Sequence, residues 1–334
     1  MRAAASRPPE ERGLDRDSVR MLAATPDGLT DAVFSDLPRF LAPGDLLVVN
    51  TSATIAAAME GQRAGGQPVT VNFSTPLADG TWLTELRAGL AGQRRVRDAV
   101  AGESISLPGG MSVTLLCLLR GSDRMWVTAV DTPGDVLFAL ARHGRPIRYS
   151  YVPDQWPLSA YQTVFARDPG SAEMPSAGRP FTTGLVTKLI TAGVMIAPIT
   201  LHTGVASLEA GEPPLAERFS VPESTARLIN LARASGNRVI AVGTTCTRAV
   251  ESAAGESGTV RASGGLTDLV LGTGRPARVV NGLITGWHDP EASHLALLRA
   301  VAGPELVRAA YEHAGQAGYL WHEFGDSCIL LPLE

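Results

Sequence analysis

Between residues 60 and 130 the chain carries a series of short apolar runs with no helical period between them. PVTVNF (68–73), TWLTEL (81–86), ESISL (103–107), MSVTLLCLL (111–119) and MWVTAV (125–130) are parted by Gly, Pro and Asp. Strands about ten residues apart leave no room for crossover helices, so this stretch is expected to form a small antiparallel barrel or sandwich. The texture on either side is different. A short helix and a Pro43-Gly44 turn lead into the buried-type strand Asp45–Asn50. Downstream, residues 182–192, 222–235, 247–254, 290–301 and 304–314 carry helical periods. Between them VMIAPITL (194–201), RVIAVG (238–243), VRASGGLTDLVLG (260–272) and ARVVNGLIT (277–285) read as strands. That alternation predicts an α/β layer with a mostly parallel sheet. With Asp45–Asn50 in the sheet, residues 1–59 and 145–334 make a larger α/β domain, and 60–144 is an inserted antiparallel β-barrel-like domain. A helix over Thr132–His143, with Thr132 as N-cap and Pro133 at its first position, ends the insertion. Residues 1–33 are polar and read as an arm leading into the fold.

Two domains suit 334 residues, and 45% hydrophobic against 19% charged residues excludes a disordered chain. The net charge of −4 leaves a nucleic-acid partner open without favouring one, because a basic face can hide inside an acidic average. Cys117, Cys246 and Cys328 form no CxxC pair, so neither structural zinc nor a disulfide framework is expected. The start, MRAAASRPPEERG, has no apolar core for a signal peptide. The most apolar stretch, Leu189–Leu201, is too short for a bilayer and is interrupted by Gly193 and Pro198. A cytoplasmic protein with no membrane partner is the expectation.

The chemistry concentrates at strand ends. Gly243-Thr244-Thr245 joins a strand to a helix bearing Arg248 and Glu251. In open α/β sheets this junction offers backbone N–H groups and hydroxyls to a carboxylate or ribose. The same sequence also makes an ordinary helix cap. His202 follows a buried strand and His288 stands in ITGWHDP; each is as consistent with a hydrogen-bonded structural residue as with a catalyst. Neither sits in HxH or HExxH spacing, so zinc is not expected. Arg94, Arg95 and Arg97, with Arg87, make either a phosphate contact or a solvated loop. Asp326 precedes a final apolar strand, where a turn aspartate is equally at home.

The arrangement is more specific than its parts. PGDLLVVN (43–50), YQTVFA (161–166), PSAGRPFT (175–182), TLHTG (200–204), AVGTTCTRAVES (241–252), LITGWHDPEAS (283–293) and FGD (324–326) occur in an order that spans nearly the whole chain. In that order they resemble the S-adenosylmethionine:tRNA ribosyltransferase-isomerase family of queuosine biosynthesis. The resemblance implies an α/β domain with an inserted β-barrel. It also implies transfer of the ribosyl part of S-adenosylmethionine to an aminomethyl-deazaguanine at the tRNA wobble position, with loss of adenine and methionine and no metal. Such chemistry needs a base for the proton beside the sulfonium, donors for the sugar oxygens and a water-poor pocket. The resemblance assigns Gly243, Thr244, Thr245 and Arg248 to S-adenosylmethionine and His202 to proton transfer, with Glu217 and Asp326 as supporting carboxylates. It puts Tyr161 and Gln162 in the pocket of the acceptor base and Thr285 and His288 on the substrate.

Several family residues are replaced. Pro180, preceded by Arg179, stands where the family has a histidine, and Glu212 and Leu215 replace two more. Gly286 replaces an asparagine, and Ala53 and Ala58 replace arginines. Proline and glycine supply neither imidazole nor amide chemistry, and lost arginines remove phosphate clamps. The pattern suggests a divergent paralogue with weakened tRNA contacts. A non-tRNA small-molecule acceptor, altered chemistry on the same cofactor, and a non-catalytic S-adenosylmethionine binder are the alternatives.

Overall fold

Leu46–Asn50 is buried along its whole length, a pattern that a sheet covered on both faces produces. Leu46 and Val48 enter one apolar cluster, Leu47 and Val49 another. Val239–Val242 divides in the same way, with Val239 and Ala241 on one face and Ile240 and Val242 on the other. These runs therefore show no polar alternation.

The computed structural model describes residues 3–88, 94–148, 151–205, 215–288 and 294–332. In chain order the first strands are β1 (Arg20–Thr25), β2 (Gly28–Val33), β3 (Leu46–Asn50), β4 (Ser52–Thr54), β5 (Ala58–Arg63), β6 (Pro68–Pro76), β7 (Trp82–Ala88), β8 (Arg94–Arg95) and β9 (Ser104–Ser106). They continue as β10 (Ser112–Leu118), β11 (Met125–Asp131), β12 (Asp168–Ser171), β13 (Met195–Leu201), β14 (Glu217–Val221), β15 (Val239–Val242), β16 (Ser263–Thr267), β17 (Gly282–Gly286) and β18 (Ser327–Leu330). The helices are α1 (Val136–His143), α2 (Thr183–Thr191), α3 (Glu223–Ala234), α4 (Thr244–Ser252), α5 (His294–Ala302) and α6 (Pro304–Gln316).

The large sheet runs β16-β14-β13-β3-β15-β17-β18-β1-β2. Its heart, β13-β3-β15-β17, is parallel, as is the β18–β1 pair, and antiparallel pairings extend it on both sides. Helices α3, α4, α5 and α6 pack on one face; α2 and the 3-10 segment Phe34–Phe40 pack on the other. The expected α/β class is what forms. The middle of the chain closes into a six-stranded antiparallel barrel, β5-β6-β7-β11-β10-β9, sealed by the β7–β11 and β5–β9 pairings. Its core holds Phe73 and Trp82 edge to face at 5.8 Å, and Leu140 brings α1 against it.

Two expectations fail. Residues 1–33 are not an arm: β1 enters the sheet between β18 and β2, and Met21, Leu22, Ala23 and Ala24 are fully buried. Four apolar residues flanked by polar ones are too short a run to stand out in sequence, and tertiary pairing decides them. The helix after the barrel begins at Val136, not Thr132, because Asp135 caps it and accepts the Phe138 N–H at 3.0 Å. Aspartate is the stronger cap, and it stands closer to the apolar run.

In the basic run, Arg87 pairs with the buried Glu85 at 2.8 Å and Arg95 with Asp123 at 3.3 Å, while Arg94 and Arg97 are exposed. Among the described residues no helix is long and apolar enough to cross a membrane.

Candidate active site

Strands β13, β3, β15 and β17 run parallel, so they end at the same edge of the sheet. A cavity of about 370 Å³ opens there, lined by the Thr203-Gly204-Val205, Gly243-Thr244-Thr245 and Thr285-Gly286-Trp287 turns. This is the edge where α/β sheets hold ligands, and the size is that of a small-molecule site. Glycine is required at two of the turns. Gly243 has φ +96°, and a Cβ there would lie 3.2 Å from the Ala177 side chain. Gly204 abuts the barrel: a Cβ would lie 2.7 Å from Ser74 Oγ, which accepts the Val205 N–H at 2.9 Å. Barrel and sheet therefore meet at the cavity rim.

Gly243 brings no capping side chain, which leaves first-turn N–H groups of α4 for an anionic or polar ligand group. Thr244 and Thr245 line the cavity beside them, and Asn50 Nδ2 reaches the Thr245 hydroxyl at 3.4 Å. One turn on, Arg248 pairs with Glu217, whose other oxygen accepts the Gly204 N–H at 2.9 Å. Arg248 also donates to the carbonyls of Thr267, Leu269 and Leu215 at 3.0, 3.2 and 3.4 Å. Burial pushes the Glu217 carboxyl above its ordinary value, against the opposing pull of Arg248 and the Gly204 N–H. The pair clasps α4, β14, β16 and the Gly204 turn around the cavity.

His288 Nε2 meets the Thr285 hydroxyl at 3.1 Å, and its ring stacks on His294 with centroids 4.4 Å apart and planes 4° from parallel. Burial, then the imidazoles of His294 and His322, hold His288 well below its usual value; burial and Arg248 lower His294. Both are neutral rings at pH 7, able to donate and accept hydrogen bonds without carrying charge.

The structure thus gathers Glu217, Gly243, Thr244, Thr245, Arg248, Thr285 and His288 around one cavity. His202, Asp326, Tyr161 and Gln162 are not among its lining residues. His202 faces β4, with Nδ1 2.7 Å from Ser52 Oγ, and its ring fills the space where a Cβ of Gly170 would stand. Burial, aided by Arg218 and opposed by Asp168, brings its pKa down to about 4. Asp326 accepts the backbone N–H groups of Leu320 and Arg20 at 2.8 and 3.0 Å. Tyr161 is buried beside Phe324, and Gln162 both accepts from and donates to the Thr54 backbone, at 3.0 and 2.8 Å. Among the described residues no group of three or more His, Cys, Asp or Glu is arranged to hold a metal ion.

Sequence reasoning missed Tyr151, Glu173, Ser176, Thr203, His294, His322 and Glu323, which also line the cavity. The available signal for two of them was position: His322 and Glu323 immediately precede FGD.

A family model described as a queuosine biosynthesis protein matches residues 1–330. The chain belongs to that family. The S-adenosylmethionine:tRNA ribosyltransferase-isomerase of Acidiphilium cryptum is 36% identical over 340 residues, covering 97% of this chain and 96% of its own. The protein of the same name from Ralstonia nicotianae is 34% identical, covering 96% and 90%. A crystal structure of an S-adenosylmethionine tRNA ribosyltransferase from Thermotoga maritima matches with a TM-score of 0.54 at 25% identity, covering 98% of this chain and 96% of that one.

Within the queuosine biosynthesis family fold, several of the replaced residues and Arg179 beside Pro180 have definite places. Arg179 is buried, donates to the Ala160 carbonyl at 2.9 Å and pairs with Glu10 at 3.0 Å, which ties the N-terminal segment to the back of the site. Ala58 is buried in β5 and exchanges both backbone hydrogen bonds with Arg145. Gly286 lines the cavity, and a Cβ there would meet no atom within 4 Å. Leu215 lines it too, whereas Glu212 lies outside the described residues.

Proposed function

We propose that this cavity binds S-adenosylmethionine and that the protein transfers and isomerises its ribosyl group onto the amine of a deazaguanine carried by tRNA. One observation carries the reading. The residues that the family resemblance assigns to S-adenosylmethionine, Gly243, Thr244, Thr245 and Arg248, converge on a strand-end cavity with Thr285 and His288. The α4 N-terminus and its threonine hydroxyls suit a carboxylate or the ribose oxygens. The neutral His288–Thr285 pair supplies a donor and an acceptor for a sugar without repelling the sulfonium, which a protonated histidine would do. Arg248, committed to Glu217 and three carbonyls, holds the walls in place.

The test is incubation with S-adenosylmethionine and tRNA bearing the aminomethyl-deazaguanine, followed by nucleoside mass spectrometry and quantitation of adenine and methionine. The expected result is a ribosyl-bearing nucleoside with equimolar adenine and methionine. Adenine release without transfer, or no release at all, refutes the reading. A second reading keeps the cofactor and replaces tRNA by a small-molecule acceptor; the open space at Gly286 and the alanines at 53 and 58 favour it. The same assay with the free base in place of tRNA separates the two. Transfer to tRNA that weakens steeply with salt supports the first, since each phosphate contact releases a counterion.

A further inference from the structure

The loop between α6 and β18 is unusually constrained for its length. His322 has φ +74°, the one positive φ outside glycine among the described residues. Such a conformation is strained and persists where surrounding contacts impose it. Those contacts are present. The Asp326 carboxylate accepts the Leu320 N–H at 2.8 Å, and the Gly325 N–H donates to the His322 carbonyl at 2.9 Å. At Gly325 a Cβ would come within 2.4 Å of the Leu320 carbonyl oxygen. The His322 ring lies flat on Tyr151, 4.0 Å between centroids and 14° from parallel.

The product of this constraint is the placement of Glu323. It lines the cavity, its carboxylate hydrogen-bonds the Tyr151 side chain, and its Oε2 has no hydrogen-bond partner among the described residues. Two further carboxylates, Glu173 and Glu217, line the cavity, and Glu217 has both oxygens committed to Arg248 and Gly204. His202 is hydrogen-bonded to Ser52 and does not line the cavity.

We propose that Glu323 is the proton acceptor of this site, positioned by Tyr151, His322 and Asp326. The inference rests on the S-adenosylmethionine reading above. In the step assigned to it, the C–H bond beside the sulfonium breaks and the proton passes to Glu323 Oε2. The carboxylate becomes a neutral acid, and the electron pair stays on carbon, stabilised by the adjacent positive sulfur. The electrostatics agree. Burial raises the Glu323 pKa to about 7 against the pull of the Tyr151 hydrogen bond and Arg179. His322 is its neighbour, and Arg16 and Asp326 border the small cleft that Glu323 also lines. A base with a value near the working pH is the most effective in proton transfer.

The experiment compares wild type, Glu323→Gln and Glu323→Asp in three measurements: calorimetric S-adenosylmethionine binding, turnover against pH, and deuterium uptake from heavy water beside the sulfonium. Glu323→Gln is expected to bind within about threefold of wild type and to lose turnover by about 10²–10⁴-fold, together with deuterium uptake. Glu323→Asp, with the carboxylate one methylene short, regains part of both. The wild-type rate rises with pH through about 7, and this limb is absent in Glu323→Gln. Turnover of Glu323→Gln within about fivefold of wild type, or a loss that appears only in affinity, overturns the assignment. If Glu323→Gln melts earlier than wild type, the pH limb and the Glu323→Asp rate decide the matter. Wild type that neither binds nor consumes S-adenosylmethionine overturns the functional reading, and this inference with it.

Discussion

Replacing Arg248 with methionine removes the charge from the clasp while keeping a side chain of similar length. Arg248→Met strands the Glu217 carboxylate in a buried site with the Gly204 N–H as its remaining partner, and takes a donor from the carbonyls of Thr267, Leu269 and Leu215. Breaking one side of a buried ion pair costs about 3–5 kcal/mol, because the other charge is left uncompensated. The loss has a pH signature with a definite sign. Burial already raises the Glu217 carboxyl, and removing Arg248 removes its main opposing pull. A carboxyl raised on folding contributes stability below its unfolded value of about 4.3 and loses it as pH rises through the folded value. Arg248→Met is therefore closest to wild type near pH 5 and furthest from it near pH 8. The double variant Glu217→Gln/Arg248→Met leaves no stranded charge and is expected to lose only about 1–2 kcal/mol. Urea unfolding followed by tryptophan fluorescence at the two pH values reads all of this. A loss below about 1 kcal/mol in Arg248→Met, or single losses that simply add in the double variant, refutes the clasp.

Other outcomes follow from the same geometry. His202→Asn keeps a hydrogen-bonding atom for Ser52 and is expected to retain most of the rate. His202→Ala empties the space against Gly170 and lowers the melting temperature by several degrees, on the order of 1–2 kcal/mol; a loss of about 10²-fold or more in turnover of a stable His202→Asn reassigns proton transfer to His202. The rise of the Glu323 pKa from 4.5 to about 7 means that stability falls as pH climbs across that window. Glu323→Gln should lack the fall and be about 1–2 kcal/mol more stable than wild type at pH 8, below the ceiling of about 3 that the full rise implies, because the glutamine amide gives up the carboxylate's hydrogen bond to Tyr151 and its attraction to Arg179. Equal pH slopes in denaturation of the two proteins count against it.

Much of the fold is legible because it rests on period and punctuation. The buried runs at 46–50 and 239–242, and the glycines at 193, 236 and 243 with positive φ, mark strand and helix ends where the sequence puts them. β1 was hidden because its burial comes from pairing with β18, some three hundred residues away, and no local pattern encodes that partner. The site divides similarly. Thr244, Thr245 and Arg248 follow a strand and can be found from the junction rule alone. His202 stands after a strand too, but its ring packs against Ser52 of β4 and Gly170 instead of entering the cavity, and one residue of register decides which face a strand-end side chain meets. Tyr151, His322 and Glu323 are unremarked in sequence because a positive φ at a histidine and a long-range ring stack bring them together.

The most direct measurement is a calorimetric titration of S-adenosylmethionine into wild type and into Gly243→Val. Valine at φ +96° forces the turn against Ala177 and closes the approach to the α4 N-terminus. Wild type is expected to bind with about −7 to −8 kcal/mol, in the micromolar range, and the folded variant at least about tenfold more weakly. No heat with wild type, or unchanged affinity in Gly243→Val, contradicts the placement of S-adenosylmethionine at this strand-end cavity.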